Sequence, residues 1–290
     1  MADQALTLNP LTLDDVAAAL RLSEEARWNQ TARDWRLMIT HGHAVGLFEP
    51  DGALVATAIV FPFEDRLAWI SMVLVTPARR RQGRATQLLQ YCTGYIEGAG
   101  MIAVLDATEA GRKVYAPLGF RDLYPISRWE GSPPTQATAP ATYEASAAVR
   151  PLPAEDLDGL AAWDRVRFGA GRAPILRHLR QAAPHLAHVA EDAGGNLVGY
   201  GLARPGRLAT QLGPVVAEDA AVATLLMRHA VAKITGLVYV DVPDAQTTFK
   251  QMLIDAGFTR QRRFIRMVKG DLPALDQAAQ IYAIAGPELG

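Results

Sequence analysis

Residues 72–86 join an apolar strand, a proline turn, a basic loop and the start of a helix. The apolar run ends at Val75, Pro77 turns the chain, and Arg80-Arg81-Gln82-Gly83-Arg84-Ala85 leads into the helix. The first backbone N–H groups of a helix lack acceptors, and the positive end of its dipole faces the preceding loop. Gly83 lets the backbone approach a ligand closely. The pattern therefore predicts an anion site, in which main-chain donors and guanidinium groups surround a pyrophosphate.

A basic surface turn that caps a helix would look similar, so the loop alone leaves both interpretations open. Downstream lie an apolar strand, Met101 to Asp106, a short helical stretch, and Val114-Tyr115-Ala116-Pro117-Leu118-Gly119-Phe120. With these residues the chain resembles the GNAT superfamily of N-acetyltransferases. The acetyl-CoA motif of that superfamily is Gln/Arg-x-x-Gly-x-Gly/Ala, and its later motif ends in Tyr-x-x-Leu-Gly-Phe. Both motifs stand here in the expected order and separation.

Length and composition limit the remaining possibilities. A chain of 290 residues with 50% hydrophobic content can form two domains. With 29 basic and 30 acidic residues, the net charge of −1 gives no support for a nucleic-acid or membrane partner. A single cysteine, the lack of a signal-like start and the lack of a membrane-length apolar run favour a cytoplasmic protein, monomeric or homodimeric.

The chain divides at a segment rich in proline and small residues, 130–142, which is typical of a linker. We expect a catalytic domain over 1–130, a linker over 131–142, a second domain over 143–270 and a tail over 271–290. Strands with helices placed late in the order predict an α/β fold (α+β mixed) with a mainly antiparallel sheet. In the first half we expect strands near 5–8, 44–48, 54–61, 67–75, 102–105 and 120–129, and helices near 13–26, 31–39, 82–97 and 110–116.

The second half repeats this plan, which predicts two tandem GNAT-like domains. Gly257-Phe258 lies 138 residues after Gly119-Phe120, a domain-sized period that indicates duplication. In place of the arginine loop stands Ala217-Glu218-Asp219-Ala220, without glycine and with two carboxylates that would cap a helix and repel a pyrophosphate. We therefore expect the first half alone to bind acetyl-CoA.

Further segments of the chain are similar to the tandem, YitH-type branch of the superfamily, in which a catalytic domain is joined to a degenerate one. One departure is Gly171, where an aspartate would be expected before the arginine. The segments that carry the similarity are Leu105-Asp106-Ala107-Thr108, Phe168-Gly169-Ala170-Gly171-Arg172, Gly213-Pro214-Val215-Val216-Ala217, Asp241-Val242-Pro243 and Arg263-Phe264-Ile265-Arg266-Met267.

The resemblance implies roles for the first-half residues around the loop. The main chain of Val73, Leu74 and Val75 would pair with pantetheine, and one of its N–H groups would meet the oxyanion; an ordinary buried strand is compatible with this. Thr108 stands where relatives have an asparagine that contacts the cofactor. The pyrophosphate would be held by Arg80, Arg81, Gln82, Gly83, Arg84, Ala85 and Thr86.

Tyr115 would give a proton to the departing thiolate, although a core tyrosine on an amphipathic helix would have the same pattern. For the general base, Glu64 and Asp65 lie between two strands, where relatives sometimes place a carboxylate. A solvated loop acid is the alternative for both residues. Asp106 is another candidate, and a bound water without a dedicated base is a third possibility.

The acceptor would lie near Trp28, Asn29 and Trp69, which with Trp35 could form an aromatic wall or simply belong to the core. Arg172 and Arg204 of the second half could bind an anionic group of the acceptor, as could Arg263 and Arg266. Each of these arginines could equally form a structural ion pair. The six histidines show no metal-ligand spacing, so no metal is expected.

The leading interpretation is an acetyl-CoA-dependent N-acetyltransferase that acetylates the primary amine of a small molecule by direct transfer in a ternary complex. The alternatives are an acyl-CoA-binding sensor without turnover and a protein lysine acetyltransferase. An intact Tyr115 favours an enzyme, because a sensor does not need an acid for the thiolate.

Overall fold

The computed structural model describes residues 6–64, 66–132, 147–272 and 275–290. Ala5, Asp65 and most of the predicted linker lie outside these ranges. The first-half elements are β1 (Thr7–Pro10), α1 (Val16–Glu25), α2 (Ala32–His41), β2 (His43–Phe48), β3 (Leu54–Phe63), β4 (Leu67–Val75), α3 (Arg84–Gly98), β5 (Ile102–Ala107), α4 (Glu109–Tyr115) and β6 (Arg121–Gly131).

The second half has the same order of elements and one additional strand at its end. These elements are β7 (Ala147–Pro151), α5 (Leu157–Phe168), α6 (Ala173–Ala182), β8 (His188–Asp192), β9 (Leu197–Arg204), β10 (Thr210–Ala217), α7 (Ala220–Val231), β11 (Val238–Pro243), α8 (Thr247–Asp255), β12 (Thr259–Lys269) and β13 (Ile281–Ala283). The repeat of the first-half plan that the sequence predicts is therefore present in the structure.

All thirteen strands form one sheet in the order β1-β2-β3-β4-β5-β12-β6-β11-β10-β9-β8-β7, with β13 paired to β10. The pairs β4–β5 and β10–β11 are parallel, and the other strand pairs are antiparallel. The predicted mixed, mainly antiparallel α/β fold is thus confirmed.

The two halves exchange their last long strands. β12 of the second half lies between β5 and β6, with Ile265 opposite Ala107. β6 of the first half pairs in turn with β11, with Trp129 opposite Val240. Each half therefore completes its sheet with a strand from the other, an arrangement that the sequence pattern does not reveal.

One core is also shared by both halves. Leu22 of α1 and Met38 of α2 belong to the same buried cluster as Leu176 and Leu179 of α6. Two further cores lie around α3 in the first half and around α7 and α8 in the second. The shared core and the exchanged strands fix the halves against each other.

The residues before two helices explain where those helices begin. The helix expected from Gln82 begins at Arg84, because Gly83 has a left-handed backbone with φ of 75°. The helix that Glu218 and Asp219 were expected to cap begins at Ala220, where the Asp219 carboxylate accepts a 2.9 Å hydrogen bond from the Val222 N–H. That contact confirms the predicted acidic cap.

Candidate active site

The site is built around a divergence of the two parallel strands β4 and β5. Their pairing runs from Leu67–Ile102 to Trp69–Val104 and ends there. Beyond this point, β4 carries a bulge at Met72, whose φ is 51° and whose carbonyl accepts a 2.8 Å hydrogen bond from the Thr57 hydroxyl. A bulge bends a strand and re-aims its backbone groups, so it turns the end of β4 away from β5.

The arginine loop lies at the end of β4 and opens into a groove of about 560 Å³. Arg81 (φ 62°) and Gly83 (φ 75°) adopt left-handed conformations, which direct the chain into α3, a helix of 15 residues. The groove is lined by Val73, Leu74, Val75, Arg80, Arg81, Gly83, Arg84, Ala85 and Thr86. Exposed guanidinium groups and the N-terminus of a long helix are features that favour anion binding, so the groove fits the predicted site.

Gln82 is the predicted loop residue that does not line the groove. Its side-chain amide donates a 3.3 Å hydrogen bond to the Ala78 carbonyl, and the nearby Arg80 Nε donates to the Val75 carbonyl over 2.9 Å. These two bonds hold the loop against the end of β4.

A second cavity, of about 290 Å³, adjoins the groove and shares Trp28, Val73, Ala85 and Val114 with it. Tyr115, the last residue of α4, lines this cavity, and burial raises the pKa of its phenol to about 12. The phenol is therefore protonated at neutral pH and available as a donor.

Thr108, the N-cap of α4, and Gly111 within the helix fix the position of Tyr115. Thr108 lines the cavity and begins the helix, since its hydroxyl accepts a 3.1 Å hydrogen bond from the Gly111 N–H. Gly111 lies under the tyrosine ring, where a Cβ atom would come within 2.9 Å of its Cε2 atom. Because Gly111 has no side chain, it leaves the space that the Tyr115 ring occupies.

Asp106, the next-to-last residue of β5, lines the same cavity. Its two carboxylate oxygens each accept a 2.8 Å hydrogen bond from the Arg266 guanidinium. Burial raises the pKa of Asp106, and this effect outweighs the opposing effect of Arg266.

Glu64 lies elsewhere, at the tip of the β3–β4 hairpin. Its carboxylate accepts hydrogen bonds of 2.9 and 3.0 Å from Arg165, and these bonds outweigh burial and hold the pKa of Glu64 below its usual value. It lines neither the groove nor the cavity. The predicted role of Glu64 as a base therefore does not fit its position, and Asp65 lies outside the described residues.

The first-half residues that were predicted to contact the acceptor substrate differ in their surroundings. Trp28 and Asn29 line the cavity, but the Asn29 amide is bonded to the backbone of Leu208 and Ala209 at 2.9 to 3.1 Å. Trp69 is fully buried, and its Nε1 donates to the Pro287 carbonyl at 3.0 Å. Asn29 thus joins two loops and Trp69 belongs to the core, so Trp28 is the member of this set that is free to contact an acceptor.

The predicted anion-binding arginines of the second half form buried ion pairs. Arg172 donates to both Asp164 oxygens at 2.9 and 3.0 Å. Arg204 donates to Asp34 at 2.7 Å and to Glu288. Since neither arginine lines the cavity and both guanidiniums are about 1% exposed, the expected contact with an acceptor does not fit either position.

Four polar or charged cavity residues were missed by the sequence analysis: Gln30, Arg128, Arg262 and Glu288. Arg262 enters on the exchanged strand β12, and Glu288 on the buried segment that follows β13. A signal was present for Arg262, because alternate positions 262, 264 and 266 place two arginines and Phe264 on one face of a strand. Glu288 has no such local signal.

The second half contains the same divergence of parallel strands, filled by its own chain. β10 and β11 pair from Thr210–Val238 to Leu212–Val240, and then β10 pairs with β13, Val216 opposite Ile281. The Ile284 N–H donates to the Asp241 carbonyl on β11 at 2.9 Å. An extended segment therefore lies here as an additional strand.

Two family models match the chain. The model described as the acetyltransferase (GNAT) family matches residues 13–120, and the one described as an acetyltransferase (GNAT) domain matches residues 160–283. The chain is a tandem GNAT N-acetyltransferase. The predicted pair of GNAT-like domains is thereby confirmed.

Relatives of this GNAT enzyme extend over most of its length. The uncharacterized N-acetyltransferase YitH of Bacillus subtilis is 25% identical over 246 residues, which are 84% of this chain and 85% of YitH. A proposed acetyltransferase from Pyrococcus horikoshii has a similar structure, with a TM-score of 0.78 at 18% identity over 100% of this chain and 98% of that one. A GCN5-related N-acetyltransferase from Sphaerobacter thermophilus gives a TM-score of 0.64 at 19% identity, with 97% and 100% covered.

Two features are absent from the described part of this GNAT enzyme. Within it, no group of three or more His, Cys, Asp or Glu side chains could hold a metal ion. Of its helices, none combines the length and the apolar character needed to cross a membrane.

Proposed function

We propose that the enzyme transfers the acetyl group of acetyl-CoA to the primary amine of a small molecule, directly and within a ternary complex. The observation that carries this proposal is the meeting of groove and cavity at Val73. An anion-binding helix terminus lies on one side of that residue and a protonated tyrosine on the other.

In this proposal the pyrophosphate of acetyl-CoA binds the α3 terminus and the arginines of the loop. The pantetheine extends along Val73 to Val75 and pairs with the free edge of β4. The position of β13 beside β10 supports this, because the same kind of strand divergence accepts an extended segment in the other half.

The acetyl group then lies in the cavity beside Tyr115. The amine nitrogen attacks the thioester carbonyl, the C–N bond forms, and a backbone N–H of the Val73 to Val75 strand stabilises the oxyanion. The C–S bond breaks as the Tyr115 phenol donates its hydrogen bond to the leaving sulfur. A phenol with a pKa of about 12 lies about 3.5 units above an ordinary thiol, so it shares its proton with the thiolate and stays mostly protonated.

The proton lost by the amine leaves through the carboxylates of the cavity wall. Asp106 and Glu288 are the acids among its lining residues. Asp106 was a predicted candidate for this role, and its raised pKa makes it a better proton acceptor than an ordinary aspartate.

Titration calorimetry with acetyl-CoA tests the proposal on the wild type and on Gly83→Glu. A carboxylate at the α3 terminus opposes the helix dipole and the phosphates, so we expect affinity to fall at least about tenfold. Gly52→Glu is the matched control, because Gly52 also has a positive φ (87°), and at either glycine a side chain would enter open space, with no atom within 4 Å of its Cβ. Equal affinity in the two variants, or no binding by the wild type, would refute the proposal.

Measurements of turnover distinguish a small-molecule acetyltransferase from a protein acetyltransferase and from a sensor. Release of free thiol from acetyl-CoA in the presence of small amines supports the enzyme. Tight binding without turnover on small amines, but with transfer to lysine peptides, would instead favour a protein acetyltransferase, and binding without any transfer would favour a sensor.

A further inference from the structure

Four charged side chains line the cavity next to Tyr115: Asp106, Arg128, Arg262 and Glu288. Three of them have an opposite charge as partner. Asp106 pairs with Arg266 at 2.8 Å, Arg128 with Asp241 at 2.7 Å, and Glu288 with Arg204. Arg262 is the exception.

Arg262 is a half-buried cation without an ion-pair partner among the described residues. The side-chain acceptor bonded to it is the neutral Oε1 of Gln261, at 3.1 Å from Nε. Across residues 6–64, 66–132, 147–272 and 275–290, no carboxylate oxygen is recorded within 4 Å of its guanidinium nitrogens. Burial and the neighbouring Arg128 lower the pKa of Arg262, and together they outweigh the opposing effects of Asp241, Tyr239 and Glu130.

Glu288 shares its guanidinium partner with a second carboxylate. The Arg204 guanidinium binds both Asp34 and Glu288, and all three residues are buried. His178 Nε2 also lies 3.3 Å from Asp34. A carboxylate that lines the cavity and shares its cation in this way can attract an ammonium group.

Gln30 adds an unused acceptor to the same cavity. It is 5% exposed, and its Oε1 has no hydrogen-bond partner among the described residues. A buried polar atom without a partner is costly, and a ligand N–H that enters the cavity can satisfy it.

We propose that the natural acceptor is a compact amine that also carries an anionic group, a carboxylate or a phosphate. Arg262 binds the anion, and Glu288 with Gln30 binds the amine. This inference rests on the proposed acetyl transfer and assigns its substrate class. The cavity volume of about 290 Å³ is at the small end for ligand sites and suits such a molecule.

The test compares pairs of amines in which one member carries an anionic group and the other lacks it. The rate of thiol release from acetyl-CoA at pH 8 is measured for each amine. Carboxylate pairs are β-alanine with propylamine and 4-aminobutyrate with butylamine. Phosphate pairs are O-phosphoethanolamine with ethanolamine and glucosamine 6-phosphate with glucosamine. We expect kcat/KM to be at least about tenfold higher for the anionic member of one class, and the class identifies the group.

Arg262→Gln should lower kcat/KM for that anionic amine by about 10 to 100-fold, mainly through KM, and bring its ratio to the neutral partner close to one. Arg262→Lys should restore part of the ratio. Arg260→Gln, at an exposed position of the same strand, is the matched control and should keep the ratio.

Three results would overturn the inference: neutral amines used as well as anionic ones, a ratio unchanged by Arg262→Gln, or no turnover of any pair by protein that binds acetyl-CoA. Calorimetry with acetyl-CoA distinguishes these results from failure of the proposed function, which would appear as a lack of acetyl-CoA binding.

Discussion

The Arg266 guanidinium donates two hydrogen bonds of 2.8 Å to the Asp106 carboxylate, and both side chains are fully buried. Arg266 lies on β12 and Asp106 on β5, so this ion pair joins the second half to the strand that carries the cavity. Arg266 also lies over the Trp69 ring at 4.6 Å. The pair therefore connects the stability of the exchanged sheet to the shape of the site.

Arg266→Met should destabilise the protein by about 3–5 kcal/mol, because it leaves Asp106 buried without a cation. Urea unfolding followed by tryptophan fluorescence measures the change. Arg112→Met is the control, since the Arg112–Asp122 pair is 48% and 40% exposed, so solvent screens it and a much smaller loss of stability is expected. Similar losses in the two variants would contradict the structural role of the buried pair.

Tyr115→Phe should lower kcat by about 10² or more and leave acetyl-CoA affinity unchanged, because the phenol acts on the leaving sulfur. Stopped-flow thiol release and calorimetry measure the two quantities. An unchanged kcat would remove Tyr115 from the mechanism.

The pH dependence of Tyr115 follows from its pKa of about 12, raised by burial from 10.0. The folded state holds the phenolic proton more tightly, so this stabilising contribution is complete below pH 10 and is lost as pH rises through 12. We therefore expect no fall in kcat from phenol ionisation between pH 7 and pH 10. A descending limb in that range that is absent from Tyr115→Phe would show a lower pKa.

Gly111→Ala should give a stable enzyme with reduced kcat. The new methyl would come within 2.9 Å of the Tyr115 ring and displace it, while alanine favours the helix. Gly94→Ala in α3 is the control, because no atom lies within 4 Å of its Cβ position, and it should raise stability by up to about 1 kcal/mol without loss of activity. Full activity in Gly111→Ala would show that the ring position is unimportant.

Acetyl-CoA should bind with a stoichiometry of one per chain. β13 occupies the strand divergence of the second half, and Asp219 caps α7 where a phosphate would have to bind. Calorimetry should give one site, and Gly83→Glu should weaken binding at that site and leave no second site of wild-type affinity. A residual site in that variant would show that the second half also binds the cofactor.

Local signals predicted much of this structure. The Gly83 loop, the apolar strands and the 138-residue repeat gave the order of elements, because turn chemistry and hydrophobic period are properties of neighbouring residues. The Asp219 cap was predicted for the same reason.

Contacts between distant residues could not be predicted in this way. Arg172 and Arg204 have the residue type of an anion site, but partners 8 and 170 residues away neutralise them in the core. Arg262 reaches the cavity because β12 is exchanged between the halves, and Glu288 because the segment after β13 folds back to it. No local sequence pattern indicates the exchange or the path of that segment. Contacts between residues that are far apart in the sequence thus determine which charged side chains face the cavity.

The exchange of β6 and β12 also has a consequence for synthesis on the ribosome. β12 ends 138 residues after β6. The edge of β5 that pairs with β12 therefore has no partner until the second half has been translated. At about 5–20 residues per second this interval lasts roughly 7–28 s, during which an unpaired strand edge is open to wrong partners. Nascent chains of this enzyme therefore cannot complete the sheet of the first half until the end of the second half has been translated.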